Sequence, residues 1–349
     1  AATGRKLAAC PIPEPVRTLS FSPDGRILVA GALPVGSGPY SAYALDLQAA
    51  REGRLLAGPP CKLGRMPACS PDGRLVATLA ARGAALWDRA AIEETAPVAA
   101  GQGFTCVALS PDGKLAALGA GTKDKDDVSL WATDGLRRVA GVAAHHGAVH
   151  CVAFSPSGRL LASGGADRTV ALWDIEAPGS PGLVHRLPGH RGQVRSLAFD
   201  PAGKILAVGC YRAGRLWDVS SGEQVRELAA HDHRVHAMTY LRDGGTLVTS
   251  DIRGEVKLWS VPGCEQLRRL ETGGAGVVSL ALTADESLLA AGCQDGRTRV
   301  WDARTWGLVA TLEGHLGEAQ GARFAPGDKT LICGEADGRK GRFSAIFST

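Results

Sequence analysis

The sequence predicts an all-β repeat fold, and three observations carry that prediction. A Ser-Pro-Asp-Gly turn, or a variant of it, recurs at intervals of about 40 to 48 residues along the 349-residue chain. Short apolar runs rich in Val, Leu and Ala flank each turn and are bounded by Gly, Pro and Asp, as antiparallel strands are. No stretch has helical periodicity over a useful length. The turns begin near residues 22, 70, 110, 155, 200, 241, 283 and 325.

Each repeat contains four short elements, and the fourth repeat shows them in order. The run "AVHCVAF" precedes the turn, "LLASGG" follows it, "TVALWD" comes next and "LVHRL" ends the unit. Runs of this length and composition predict four strands in an antiparallel meander. Four strands cannot bury both faces of their sheet alone, so neighbouring units must stack. Radial stacking of four-stranded sheets is the architecture of a β-propeller.

Tryptophan-aspartate pairs end the third predicted strand of several units. They stand at residues 87–88, 173–174, 217–218 and 301–302, with altered forms at 131–132 and 259–260, and Gly-His pairs stand at 189–190 and 314–315. With these motifs the chain resembles the WD40-repeat family over its whole length. The resemblance implies one domain over residues 1–349, an all-β propeller of eight four-stranded antiparallel blades, with seven blades as the alternative. It also implies that an N-terminal strand at residues 5–10 completes the last blade and closes the ring.

The fourth unit contains a histidine, a serine and an aspartate that would also suit a nucleophilic triad. The chain has no G-x-S-x-G turn, and Ser163 lies within an apolar run, so a structural role is the better interpretation. The WD40 resemblance implies a buried, hydrogen-bonded tetrad of His145, Ser163, Asp167 and Trp173. In such a tetrad the carboxylate holds the imidazole, the imidazole bonds the hydroxyl, and the hydroxyl accepts the indole N–H.

Other units keep only part of this set. The sixth unit has His231, Thr249 and Trp259 but carries Arg253 where the aspartate is expected, and the fifth has Val208 at the hydroxyl position. Loss of different members in different units of one chain indicates distributed stabilisation rather than a catalytic centre.

Composition restricts the class of function. A net charge of +4 with scattered basic residues, and only 5% aromatic residues, argue against a nucleic-acid surface. The nine cysteines include no C-x-x-C pair, and "HHGAVHC" has no second cluster of ligands, so we expect no metal and no cofactor. Isolated thiols within apolar runs favour a reducing, cytoplasmic location. No apolar run is long enough to span a bilayer.

The first residues lack an initiator methionine and are interpreted as part of a longer polypeptide. The excess of arginine over lysine, with abundant alanine and glycine, favours a GC-rich bacterial genome as the source.

In WD40-type propellers the residues that flank the first valine of each inner strand, and the residue before the turn aspartate, often contact partners. Carried onto this sequence, these positions and their neighbours form a basic arc across units four to six. The predicted partner-binding residues are His150, Gln193, Arg195, Arg212, Arg234, His236 and Arg253. An arc of this charge favours a protein or peptide partner that is acidic or phosphorylated.

The predicted function is therefore non-catalytic protein–protein recognition, as a scaffold or regulatory module that is monomeric as a domain. A sensor or regulatory domain of a kinase or other effector enzyme is the alternative. A propeller enzyme is a weaker interpretation, because it needs convergent acids or a metal cluster at the channel mouth and the sequence indicates neither.

Overall fold

The computed structural model describes strands before residue 100 and after residue 317, and both backbone and side chains through most of the region between. Side chains are described over residues 103–313, except 122–126, 135–136, 229–230, 262 and 284, and at 319, 322–324, 331 and 333. Every regular element in these parts is a β-strand, which confirms the all-β fold class. No described segment forms a helix long and apolar enough to cross a membrane.

The described residues form 31 strands. The first eight are β1 Ala8–Ile12, β2 Val16–Phe21, β3 Ile27–Ala32, β4 Ser41–Asp46, β5 Ala68–Cys69, β6 Leu75–Ala80, β7 Gly83–Asp88 and β8 Glu93–Val98. The next sixteen are β9 Phe104–Leu109, β10 Leu115–Ala120, β11 Val128–Ala132, β12 Arg137–Val142, β13 Val149–Phe154, β14 Leu160–Gly165, β15 Val170–Asp174, β16 Gly182–Leu187, β17 Ser196–Phe199, β18 Ile205–Gly209, β19 Gly214–Asp218, β20 Gln224–Leu228, β21 Val235–Tyr240, β22 Thr246–Asp251, β23 Glu255–Ser260 and β24 Gln266–Glu271. The last seven are β25 Val277–Leu282, β26 Leu288–Cys293, β27 Thr298–Asp302, β28 Leu308–Leu312, β29 Glu318–Phe324, β30 Leu331–Ala336 and β31 Gly341–Phe347.

Counted over the described residues, these strands build eight antiparallel sheets, seven of four strands and one of three. Consecutive strands are neighbours within each sheet, which is the meander order of a propeller blade. We number the sheets in chain order as blades one (β2–β4), two (β5–β8), three (β9–β12), four (β13–β16), five (β17–β20), six (β21–β24) and seven (β25–β28).

The eighth blade combines both ends of the chain, in the order β1-β31-β30-β29. Strand β1 pairs with β31 from Ala8 opposite Ala345 to Ile12 opposite Gly341. The N-terminal strand therefore completes the last blade, as predicted. Its bounds differ from the predicted 5–10: it ends at Ile12, and residues 5–7 lie outside the described residues.

The recurrent turn owes its sequence to a side-chain bond that closes the hairpin. In blade four the Leu160 N–H donates to Ser155 Oγ at 3.0 Å, and the Ser155 N–H donates to the Leu160 carbonyl at 2.9 Å. Gly158 has a φ of 73°, in the left-handed region that glycine enters without steric cost. In blade five Asp200 replaces the serine, and its Oδ1 accepts the Ile205 N–H at 2.7 Å. The turns near 110, 241 and 283 close similarly, whereas those near 22, 70 and 325 lie outside the described residues.

Trp173 and Trp217, each near the end of a third strand, lie at boundaries between blades. Trp173 packs in one buried cluster with Val128 and Leu130 of blade three, and Trp217 packs in another with Leu172 and Leu187 of blade four. Burying a large aromatic side chain in this way contributes about 2–3 kcal/mol relative to leaving it exposed. Stacking of neighbouring blades therefore buries sheet faces in blades three to five.

The chain divides into two compact units, one of Ala1–Ala100 with Ala275–Thr349 and the other of Gly101–Gly274. The second unit contains blades three to six. Its innermost strands β9, β13, β17 and β21 are successive neighbours. The single domain over residues 1–349 stays a prediction.

Candidate functional site

His145 lies at the centre of a buried hydrogen-bond network in blade four. Its Nδ1 is 3.0 Å from Asp167 Oδ1, and its Nε2 is 2.9 Å from Ser163 Oγ. A carboxylate only accepts, so Nδ1 carries the proton and Nε2 accepts the proton of the Ser163 hydroxyl. Burial alone would raise the pKa of Asp167, but the bonds from the His146 N–H and the His145 ring lower it. The network joins the loop before β13 to the turn after β14.

The same geometry argues against a nucleophilic role for Ser163. Its side chain is 0% exposed, so no substrate reaches the hydroxyl. The fourth predicted member, Trp173, differs from expectation, since its Nε1 is buried without a hydrogen-bond partner among the groups described. The structure thus joins His145, Ser163 and Asp167 but leaves the indole in the apolar boundary with blade three.

Blade six contains a tetrad in which the tryptophan takes part, which it does not in blade four. The Thr249 hydroxyl oxygen lies 2.8 Å from His231 Nε2 and accepts the Trp259 Nε1–H at 2.9 Å. The carboxylate beside the ring comes from Asp251, whose Oδ2 is 3.3 Å from His231 Nδ1. The sequence comparison by turn position had pointed to Arg253 and to a missing acid; Asp251, the last residue of β22, supplies it from two residues earlier. Hydrogen bonds from His231 and from backbone N–H groups lower the pKa of Asp251 against the opposing effect of its burial.

Within the described residues, His231, Asp251 and Glu255 form a group compact enough to consider as a metal site. Glu255 already has cationic partners. Its Oε2, the oxygen that faces His231, is 2.8 Å from Lys257 Nζ, and its Oε1 is 3.3 Å from Arg269 Nη1. Because Glu255 is already paired with two cations, the group is better explained as an ion-pair network than as a metal site.

Blade five has lost its tetrad. Val208 occupies the hydroxyl position, and both ring nitrogens of His190 and the Nε1 of Trp217 are buried without hydrogen-bond partners among the described groups. The two rings pack against each other instead, with centroids 5.6 Å apart and planes inclined by 57°. Burial, together with the nearby Arg215 guanidinium, lowers the pKa of His190 to about 4.

This histidine makes stability depend on pH. The unfolded chain binds a proton at His190 near pH 6.5, whereas the folded chain does so only near pH 4. The contribution is therefore fully present above pH 6.5 and is lost as the pH falls towards 4. We expect His190→Leu to remove about 2 kcal/mol of the stability difference between pH 7 and pH 5 in urea unfolding. The control His146→Gln, which changes an exposed ring, should keep the wild-type profile; an unchanged slope in His190→Leu would refute the assignment.

In blades four to six, a fully buried valine precedes or begins the inner strand next to the predicted partner-binding residues. Val149, Val194 and Val235 are fully buried and anchor the start of each inner strand. In β13 and β21 the residue after the valine is bulged out of the ladder: Val149 pairs with Gly165 and Cys151 with Gly164, which leaves His150 unpaired between them. His236 stands in the same position in β21. A bulge re-aims the side chain that it carries.

Four of the seven predicted residues interact with one another. Arg195 Nη2 donates to Gln193 Oε1 at 2.5 Å. Burial lowers the pKa of His150, and the cations Arg195 and Arg234 lower it further against a hydrogen bond with Gln193. Burial and the neighbouring Arg234 also lower the pKa of Arg195. We call His150, Gln193, Arg195 and Arg234 the inner cluster.

The other three residues are placed differently. Arg212 has a φ of 63°, and its guanidinium lies 3.6 Å from the carboxylate of Asp232, both side chains being exposed. Arg253 is exposed, and its backbone N–H donates to Asp251 Oδ1 at 2.9 Å. His236 is half-buried at the bulge of β21. Their role in binding stays a prediction.

The bulge was missed at the level of sequence, although a local pattern marks it. A valine, the re-aimed residue and a small residue recur as Val149-His150-Cys151, Val194-Arg195-Ser196 and Val235-His236-Ala237. The small residue faces a close strand: a Cβ added to Gly164 would lie 2.8 Å from Cys151 Sγ. In β13 and β21, a valine followed by a histidine and a small residue is the local pattern that accompanies the bulge.

Residues 137–174, 181–218, 222–260 and 264–302 match the family model "WD domain, G-beta repeat" (WD40). Four segments of the chain are thus similar to WD40 repeats, and together they cover less than half of it. They include the fourth strand of blade three and all the tetrad residues of blade six.

Curated proteins that contain similar segments come from several eukaryotes. The chain is 31% identical over 114 residues to the nuclear distribution protein nudF of Aspergillus niger, a match that covers 32% of this chain and 26% of that protein. It is 30% identical over 116 residues to mitochondrial division protein 1 of Saccharomyces cerevisiae, covering 28% and 16%, and 30% identical over 112 residues to the human DDB1- and CUL4-associated factor 4-like protein 2, covering 30% and 28%. The chain therefore matches less than a third of the length of each relative, and a bacterial source stays a prediction.

Among solved structures, the fold is similar to the crystal structure of the computationally designed Ika8 protein. The TM-score is 0.79 with 21% sequence identity, and the match covers 98% of this chain and 100% of that one. At this identity the likeness shows the fold alone.

Proposed function

We propose that this chain is a WD40-type propeller that acts as a non-catalytic protein-recognition module, a scaffold or regulatory part of a longer polypeptide. The observation that carries the proposal is the inner cluster, where the guanidinium groups of Arg195 and Arg234 and the imidazole of His150, from three successive blades, lie close to one another at the starts of their inner strands. The WD40-type segments and the full burial of Ser163 support a binding role over a hydrolytic one. The partner is a protein or peptide with acidic or phosphorylated groups, since cations of this kind pair with carboxylate or phosphoryl oxygens.

We also propose that the domain is a monomeric module located in the cytoplasm. The six cysteines described are all free, and burial raises the pKa of Cys106 to about 12, so these thiols behave as small apolar side chains. This chemistry suits a reducing compartment.

The decisive experiment is affinity capture from cell extract with a charge-reversed arc. Arg195→Glu combined with Arg234→Glu should abolish capture of the partner, because it places two carboxylates where an acidic group would bind. The matched control is Arg137→Glu combined with Arg226→Glu, which makes the same charge change on exposed outer strands. Equal capture by the wild type and the arc-reversed protein, with both correctly folded by circular dichroism, would refute the assigned surface.

A further inference from the structure

The inner cluster has more hydrogen-bond donors than acceptors. Arg195 Nε and Arg234 Nε are both buried donors without a partner among the side chains described. No ion pair of the described residues involves either arginine, whereas Arg212, Arg215 and Arg191 nearby each face a carboxylate. A buried donor that is left unpaired costs about 1–3 kcal/mol.

The charges are as unbalanced as the hydrogen bonds. The lowered pKa values of His150 and Arg195 both follow from burial and from the proximity of like charges. The charged and titratable groups that face His150 are Arg195 before β17, Arg234 before β21 and His145 of its own blade. The Cys151 thiol beside it has a raised pKa because of its burial and stays neutral. Nothing anionic in this part of the described chain compensates the two guanidinium groups.

We propose that His150, Arg195 and Arg234 form one site for the phosphoryl group of a phosphorylated protein partner, and that filling this site brings a proton onto His150. The inference deepens the proposed function and rests on the same surface. A phosphoryl group carries up to two charges and three strong acceptor oxygens, enough to meet donors from three blades, whereas a carboxylate has one charge and two oxygens.

The proton follows from electrostatics. With the site empty, the imidazole stays neutral at pH 7 because the two arginines oppose its protonation. A bound anion reverses the local field and favours the imidazolium form. Binding of an anion with fixed charge therefore takes up a proton, and its affinity falls as the pH rises.

Sulfate is the first probe, because its charge does not change between about pH 5.5 and 8. Titration calorimetry should show an affinity that falls by up to tenfold per pH unit, and NMR should show His150 gaining a proton on sulfate addition. Arg195→Gln and Arg234→Gln should each weaken binding about tenfold or more, and the exposed control Arg137→Gln should not. His150→Gln should bind sulfate with no pH slope.

Absence of sulfate binding, or binding that neither arginine variant weakens, overturns the proposal, and so does a wild-type affinity that is independent of pH. N-acetyl-phosphoserine should bind at least about tenfold more tightly than N-acetyl-glutamate; equal affinities would also overturn the assignment to a phosphoryl group. The two proposals can fail separately. Partner capture that survives with no anion binding removes this site alone, whereas anion binding with arc-independent capture removes the proposed recognition surface.

Discussion

Thr249→Val is expected to lower the free energy of unfolding by about 4 kcal/mol. The Thr249 hydroxyl lies 2.8 Å from His231 Nε2 and 2.9 Å from Trp259 Nε1, and all three side chains are at most 5% exposed. Valine keeps the shape of the side chain but leaves two buried nitrogen atoms unpaired, each at a cost of about 1–3 kcal/mol. Urea unfolding monitored by tryptophan fluorescence measures the change.

Blade five provides the reverse experiment. Val208 occupies the same position in β18, and the His190 and Trp217 nitrogens beside it have no partners among the described groups. Val208→Thr should therefore raise stability by about 1 kcal/mol, the usual net value of a hydrogen bond. Thr246→Val in β22, which removes a hydroxyl that is only half-buried, should change stability by less than about 0.5 kcal/mol. Equal losses for Thr249→Val and Thr246→Val would show that the tetrad contributes nothing specific.

In blade five, contacts of Arg215 replace the missing tetrad and hold the loop that carries part of the inner cluster. In that blade Arg215, only 9% exposed, hydrogen-bonds the Gly189 carbonyl and lies 3.3 Å from Glu227 Oε2. A buried ion pair thus ties the loop before β17 to the outer strands, where blades four and six use a histidine. A histidine network in blades four and six and an ion pair in blade five hold the loops before three adjacent inner strands, and Arg195 and Arg234 lie directly before two of these strands.

The fold could be predicted from the sequence because the turns and the Trp-Asp pairs that define each blade are local features. Ser155 and Gly158 close a hairpin within six residues, and each Trp-Asp pair ends a strand, so the turn spacing sets the number of blades in the described residues. The end strands were harder to place. Pairing of β1 with β31 joins residues more than 300 positions apart, and the sequence alone placed the end of β1 two residues too early.

The site was predicted less completely, for physical reasons that particular residues make clear. Asp251 and Arg253 are two positions apart around a turn, and either position can be aligned with the expected acid. Only the path of the backbone decides which of the two side chains lies beside His231. The position of the Trp173 indole depends on how blades three and four pack together, and the sequence of a single repeat does not determine that packing. The bulge at His150 is a matter of register between two strands, and a shift of one residue moves a side chain to the other face.

Gly165→Ala is expected to lower the free energy of unfolding by about 4 kcal/mol. A Cβ at this position would lie 2.5 Å from His145 Nδ1 and 2.8 Å from Asp167 Oδ1, closer than atoms approach without a shift. Overpacking alone costs about 1–3 kcal/mol, and separating a buried imidazole from its carboxylate adds to that. The imidazole cannot retreat, because Ser163 holds its far side at 2.9 Å.

Gly182→Ala is the matched control in the same blade. Nothing lies within 4 Å of the Cβ that it would add at the start of the exposed strand β16, so stability should change by less than about 0.5 kcal/mol. If Gly165→Ala loses no more than this control, the His145–Asp167 contact does not constrain the loop. Because β13 starts from that loop, a large loss in Gly165→Ala should also weaken sulfate binding at His150, whereas Gly182→Ala should leave it intact. Parallel effects on stability and anion affinity would show that the buried network of His145, Ser163 and Asp167 positions His150 at the bulge.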